Sequence, residues 1–518
     1  MATSSINFNN INNVSDQVSD INYPQFGEAI GDPYSVSLKK LAGQIALFGV
    51  SALAPVGMGA LCANLPMGIA ISGIALTQLA IYMAAKEIFN RYNDHRYRLS
   101  FEPAANEVNA PKLGTYTPTD LRISNHATES SEWKKALITS ARHSIELSPN
   151  FAGGEKFEEV LQLIENQMRQ FPDLKCHIIV SSDLLVENDK EKLNFLKSTY
   201  PNFNHLITDR IYTTTPKLLS EENHVKMLIV DGQYFAMGGT GIHDKMAREI
   251  VSNDDVNDSS LGSKFIDKAF RDTDIIGYGE IGETMRNQFF NLYRIWEHRM
   301  TGKSSDRFFP SMPEKNKTCS IFHEEEGLIT NAKMKYIVGG PEHRKNNPIS
   351  AEISTLIDHS EKEVRIANLL FNPDKKICKA LKKAKEKKID ITGYFNGTGK
   401  DSSSAHYLYA LPNRYNYHLI TKAFEYNKKD LLYHKKLMTV DSRFTLVGSY
   451  NFGVKSAICD YENICVIDDT RVAAIMNEAL DEDKTNSDKF KAQSLTDKWK
   501  WSQIPGKLAI ASLGTLFG

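Results

Sequence analysis

Two short stretches hold side chains in an arrangement that suits a phosphate. The first is His224-Val225-Lys226, followed by Asp231 and by Gly238-Gly239-Thr240. The second is His434-Lys435-Lys436, followed by Asp441, by Gly448-Ser449 and by Asn451. Each predicts a strand, a turn, a second strand and a glycine turn. Alternation along a strand sends residues i and i+2 to one face, which sets His224 beside Lys226 and His434 beside Lys436. Lysine supplies a point charge, glycine lets backbone come close, and histidine can attack phosphorus or carry a proton. Ordinary buried strands with a solvated histidine and lysine would produce one such match. The same His–Lys, His–Asp and His–Gly spacing twice in one chain argues for a duplicated functional element.

The chemistry stems from the charge of a phosphodiester, which repels nucleophiles. Lys226 and Lys436 would neutralise that charge and hold what builds up in the transition state. Backbone amides at Gly238-Gly239 and Gly448-Ser449 would bind the non-bridging oxygens, with the Ser449 and Asn451 side chains as further donors. One histidine would form a phosphohistidine. The other would protonate the leaving alcohol and then activate the water that clears the intermediate. A carboxylate on the far ring nitrogen would fix each tautomer. The candidate for His434 is Glu462, with Asp460 as the alternate, and the candidate for His224 is Asp272. Asp231 and Asp441 belong to the motif, and buried hydrogen bonds to the loops of the two halves are the expected role for them.

His-x-Lys-x4-Asp given twice, each copy followed by Gly-Gly or Gly-Ser, resembles the phospholipase D superfamily, and the resemblance runs over roughly residues 115 to 475. It implies that the first-motif histidine, His224, is the nucleophile and His434 the acid and base. The Arg271-Asp272-Thr273-Asp274 run and the stretch from Phe289 through Trp296 also look like the sequence after the first motif in relatives. One departure stands out. Relatives commonly carry asparagine three residues after the first glycine in both copies, and here the first copy has Gly241 at that position, leaving Thr240 as a substitute donor.

The surrounding elements must bring the two motifs together. Strand-helix-strand order occurs before each: a strand at Ala141–Ser148, a helix carrying Phe157, Val160, Leu161 and Ile164, and a strand at Cys176–Val180, then Glu363–Phe371, Asp374–Lys388 and Ile389–Phe395. The expected fold class is therefore α/β: two similar α/β halves packed as a pseudo-twofold phospholipase D fold, each supplying half an active site, with an N-terminal helical membrane hairpin. The expected divisions are a flexible polar tail (1–38), a hydrophobic hairpin (39–98), a first half (115–300), a linker (301–332), a second half (333–480) and a C-terminal tail (481–518). A polar insertion between Asp244 and Lys268 would be a surface loop beside the first glycine turn.

The hairpin reading rests on the absence of charge between Lys40 and Lys86, split by Asn64-Leu65-Pro66 into two pieces long enough to cross a bilayer. Basic flanks on both sides would leave both ends cytoplasmic. Trp499-Lys500-Trp501 and the apolar tail behind them suit a membrane interface. The lysine-rich stretch Lys375–Lys388 reads as a solvated helix face or as an attractor of anionic headgroups. A net charge of −1 argues against nucleic acid as partner. Six scattered cysteines without zinc spacing imply no metal, and nothing implies a cofactor.

Together these features predict a membrane-associated phospholipase D that hydrolyses glycerophospholipids to phosphatidic acid and a headgroup. A phosphatidyltransferase of the cardiolipin synthase type is the first alternative and a nuclease of the same superfamily the second. A catalytically dead membrane scaffold would have no need of two intact His/Lys pairs. An Asn/Ser-rich start without a secretion signal would also fit a bacterial protein delivered to host membranes.

Overall fold

The structure, a computed structural model, describes residues 23–27, 110–212, 220–244, 246, 269–301, 319–344, 346–397, 410, 412–426 and 431–490. The hydrophobic pair at 39–98, most of the insertion before 268 and the aromatic tail at 499–518 lie outside the described residues. Among the described residues no helix is long and apolar enough to cross a membrane.

The fold is mixed α/β, built around a 17-stranded sheet. Its first half comprises β1 (Thr117–Ser124), α1 (Ala127–Ser140), β2 (Ser144–Asn150), α2 (Glu155–Gln170), β3 (Lys175–Ser181), α3 (Glu187–Thr199), β4 (Phe203–Thr208), β5 (Ser220–Asn223), β6 (Met227–Val230), β7 (Tyr234–Gly238), β8 (Asp274–Tyr278) and the long helix α4 (Ile281–Thr301). The second half comprises β9 (Ile329–Gly339), α5 (Pro348–Asp358), β10 (Glu363–Asn368), α6 (Lys375–Glu386), β11 (Asp390–Asn396), β12 (Lys422–Tyr426), β13 (Leu431–Tyr433), β14 (Lys436–Val440), β15 (Phe444–Gly448), β16 (Asp460–Asp468), α7 (Thr470–Thr485) and β17 (Ser487–Phe490).

The pairings of the two halves run in step. β4, β3 and β2 are parallel neighbours, followed antiparallel by β6, β7, β8 and β1. β12, β11 and β10 are likewise parallel, followed antiparallel by β14, β15, β16 and β9. β1 pairs with β9, so the halves share one hydrogen-bonded sheet as well as packing against each other. One apolar core holds Met227, Met237 and Ile275 from the first half together with Leu437, Val447 and Cys465 from the second. Fully burying side chains of this size is worth about 1.5–3 kcal/mol each, enough to hold the halves in one register.

The histidine strands are covered on both faces: every residue of β6 and β14 is buried, which explains runs such as Met-Leu-Ile-Val. Each turns back through a hairpin whose two central residues have positive φ, Asp231 and Gly232 in one copy, Asp441 and Ser442 in the other. This is the sign pattern of a type I′ turn.

The predicted flexible tail contains an ordered piece. Tyr23–Gly27 packs into the molecule, with Phe26 fully buried against the ring of Tyr461. The Phe26 amide donates to Gln288 Oε1 at 3.0 Å and the Gly27 amide to Glu342 Oε1 at 2.7 Å. The Phe26 side chain supplies the apolar area that this piece buries.

Candidate active site

Each histidine is delivered by a short parallel strand pair that crosses between the halves. β5 lies parallel to the start of β16, with Asn223 opposite Tyr461, so the next residues in register are His224 and Glu462. Ala269–Arg271 lies parallel to β13, with Arg271 opposite Tyr433, so the next are Asp272 and His434. Backbone bonds lock both crossings: the His224 amide donates to Tyr461 O at 3.0 Å and the His434 amide to Arg271 O at 2.9 Å.

The side chains complete the exchange. His224 Nδ1 lies 3.0 Å from both carboxylate oxygens of Glu462, and His434 Nδ1 lies 2.6 Å from Asp272 Oδ2. Sequence reasoning pairs Glu462 with His434 and Asp272 with His224. The structure corrects both assignments, because proximity along one strand order is overruled by the parallel pairing between halves. Asp460, the alternate, is bound instead to Lys455, which also reaches Glu222 Oε2 at 3.2 Å.

Both lysines are buried beside their histidines. Lys226 Nζ donates to His224 O at 3.1 Å. Asn150, with its amide turned to satisfy its neighbours, accepts from Lys226 at 3.2 Å and donates to Asn223 O at 2.8 Å. Lys436 Nζ donates to His434 O at 2.7 Å and lies 3.0 Å from that ring's Nε2. The two couples share one electrostatic environment. Burial and then Lys226 push His224 well below the usual imidazole range, with Lys436 adding to the effect. Burial and then Lys436 push His434 down to about 4, with Lys226 adding there. Lys436 itself is lowered to about 7, mainly by burial. Two amines held out of water in one electrostatic neighbourhood favour a negatively charged ligand.

The two carboxylates differ. Burial raises Asp272, but the neighbouring His434 and Lys436 outweigh it and hold its carboxyl below the usual range. Burial pushes Glu462 up to about 7 despite donors on both oxygens. Ser456 Oγ donates to Oε1 at 2.6 Å, and Ser449 Oγ donates to Oε2. Sequence reasoning missed Ser456, which stands in no motif and acquires its place only when the short helix Val454–Ile458 packs back on β16.

Several predicted phosphate donors have other work. The Ser449 hydroxyl serves Glu462, while the Gly239 and Ser449 amides donate to Thr273 O and Asn463 O at 3.2 and 2.9 Å. A Cβ added at Gly239 would strike Asp272 Oδ1, and one at Gly448 would strike Asn463 O. These glycines therefore admit the carboxylate strands. Gly238 has φ +154, and a Cβ there would meet Asp274. The Thr240 amide donates to Asp274 Oδ1 at 3.1 Å. Gly241, where relatives commonly carry asparagine, has no room for that side chain: a Cβ would lie 2.5 Å from Phe151 O. Asn451, its counterpart, is half-buried, and its Oδ1 has no partner among the described residues.

Asp231 and Asp441 sit at the far ends of their strands. Asp231 accepts from the backbone amides of Arg142, His143 and Ser144, and Asp441 from those of Glu361, Lys362 and Glu363. They tie β2 and β10 to the hairpins and touch neither histidine, so their place is structural rather than in the reacting set.

Residues 353–484 match the family described as "Cardiolipin synthase, PLD-like domain". This match covers the second motif and Glu462, the carboxylate that partners His224 of the first. The chain belongs to the phospholipase D superfamily. Curated relatives include cardiolipin synthase 1 of Staphylococcus epidermidis, 22% identical over 288 residues, and cardiolipin synthase 1 of Bacillus anthracis, 22% identical over 273 residues. These alignments take in 54% and 52% of this chain and 50% and 48% of those proteins, so the chain spans about half the length of the curated relatives it matches. Among solved structures, phosphatidylserine synthase of Haemophilus influenzae superposes with a TM-score of 0.55 at 12% identity, over 83% of this chain and all of that one. That likeness establishes a shared fold. Within this phospholipase D superfamily fold, each histidine completes its couple only with a carboxylate from the opposite half.

Proposed function

We propose that this chain is a phosphatidyltransferase that moves a phosphatidyl group from one glycerophospholipid to the alcohol of another, through a phosphohistidine. The observation that carries the chemistry is the pair of buried histidines, each with Nδ1 on a carboxylate from the other half and a buried lysine alongside. Transfer to an alcohol, rather than hydrolysis to phosphatidic acid, is supported by the names of the family and the curated relatives matched.

In this reading His224 Nε2 attacks phosphorus while the bond to the leaving alcohol breaks, and that alcohol oxygen takes the proton from His434 Nε2. His434, now neutral, accepts the proton of the incoming alcohol as its oxygen attacks phosphorus and the P–N bond breaks. This restores both rings. The ionised Asp272 suits His434 for the imidazolium role, and a ring kept neutral suits His224 for attack. A phosphodiester between Lys226 and Lys436 would relieve the lysine repulsion that adds to burial in keeping His434 unprotonated. Asn451 is the remaining side-chain donor at the second glycine turn.

The experiment is incubation with phosphatidylglycerol labelled in its headgroup and acyl chains. Cardiolipin plus glycerol is the expected outcome. Phosphatidic acid plus glycerol would put hydrolysis first. Cleavage of an oligonucleotide by wild type and not by His224→Ala would replace both with a nuclease.

A further inference from the structure

The corresponding helices of the two halves carry opposite charge. α2 holds four glutamates, Glu155, Glu158, Glu159 and Glu165, against Lys156 and Arg169. α6 holds six lysines among its twelve residues and a single acid, Glu386. Ile377, Ala380, Leu381 and Ala384 bury one side of α6. The other side is exposed lysine.

Some of these lysines are engaged by the protein. Lys376 reaches Asn346 Oδ1 at 2.6 Å, Lys383 reaches Asp358 Oδ1 at 3.1 Å, and Lys385 reaches His418 O at 2.7 Å. Lys375, Lys379 and Lys382 are exposed and reach no carboxylate among the described residues. Their i, i+4, i+7 spacing puts them in one stripe. Local stability does not account for that stripe. Lys375 and Lys376 occupy the first turn, where the helix dipole disfavours cations, and Lys375, Lys379 and Lys382 repel one another along the surface. The stripe begins next to the site: Phe371–Asn372, just before α6, pairs in parallel with Phe452–Gly453, just after Asn451.

We propose that the lysine stripe of α6 docks on an anionic bilayer surface, setting the second half of the active site against the headgroup layer. The proposal deepens the lipid-transfer reading and rests on it for the nature of the surface. Charge complementarity selects the occupant: a dense cationic row on a chain of net charge −1 matches a sheet of negative headgroups.

The test uses the full chain and the variant Lys375→Gln/Lys379→Gln/Lys382→Gln. Sedimentation is measured with vesicles of phosphatidylcholine alone and of phosphatidylcholine mixed with cholesteryl sulfate, an anionic lipid without a phosphodiester. The variant should lose affinity for the anionic vesicles by on the order of 100-fold at low salt, with the difference shrinking as salt rises. Binding to neutral vesicles should be unchanged. Turnover of a short-chain phospholipid below its micelle concentration should also be unchanged, and it reports on the lipid-transfer reading separately. Equal anionic-vesicle binding by variant and wild type overturns the proposal. So does a loss confined to an oligonucleotide probe, which would assign the stripe to nucleic acid.

Discussion

The first half places Asp272 against His434, and the second places Glu462 against His224. These carboxylates occupy equivalent positions, each one residue past the stretch paired across the halves. Their surroundings are not equivalent. Asp272 is short, fits because position 239 is glycine, and stays below the usual carboxylate range. Glu462 is longer, faces Ser449 where the other half has Gly239, and shares its oxygens with two hydroxyls while burial lifts it to about 7. The histidine motifs repeat, so what distinguishes the two rings is the surroundings of their carboxylates.

The largest effect should come from the histidines. His224→Ala and His434→Ala should each lower turnover by on the order of 10⁴-fold or more. A brief reaction with labelled substrate should leave label on His224 in His434→Ala. Label on His434 in His224→Ala would reverse the roles.

The next test breaks the comparison directly. Asp272→Asn should lower kcat by on the order of 10³-fold or more, because it removes the charge that stabilises the His434 imidazolium. Glu462→Gln should cost about 10–100-fold, the range for losing a group that orients another. Equal losses would mean that the two environments do not divide the work.

Smaller effects belong to the partners of the carboxylates. Gly239→Ala should displace Asp272 and destabilise the fold by about 1–3 kcal/mol in urea unfolding, as overpacking does. Ser449→Ala leaves Glu462 with Ser456 and His224 and should cost about 1–2 kcal/mol. A milder Gly239→Ala than Ser449→Ala would remove the steric half of the comparison.

The smallest net effect is on the pH dependence of stability, because two opposed shifts offset each other. His434 is lowered from 6.5 to about 4, so the unfolded chain binds its proton first. Its contribution is present above pH 6.5 and is lost as pH falls toward 4. Glu462 is raised from 4.5 to about 7, so its contribution is present below 4.5 and is lost as pH rises toward 7. Between these limits the two oppose each other. His434→Gln should flatten the acid decline of the urea midpoint, and Glu462→Gln should steepen it.

Much of this was legible in the residues. The His-x-Lys spacing located both motifs, and the helical and strand periods located the elements, with β2 and α6 shifted by only a few residues. Asp272 and Glu462 were visible as carboxylates, but their partners were not. A parallel pairing between Ala269–Arg271 and β13 joins residues far apart in sequence and leaves no periodic trace. The glycines misled for a related reason: sequence shows that backbone must come close to something, and only packing shows that the neighbour is a carboxylate strand. The ordering of Tyr23–Gly27 depends on Gln288 and Glu342, which nothing local to the tail announces.

The crossed strand pairs also bear on synthesis. A ribosome releases residue 224 long before residue 462, so the first ring waits without its carboxylate until most of the polypeptide has emerged. A chain that stops before residue 434 would lack the second ring and Glu462 alike, so neither couple could form.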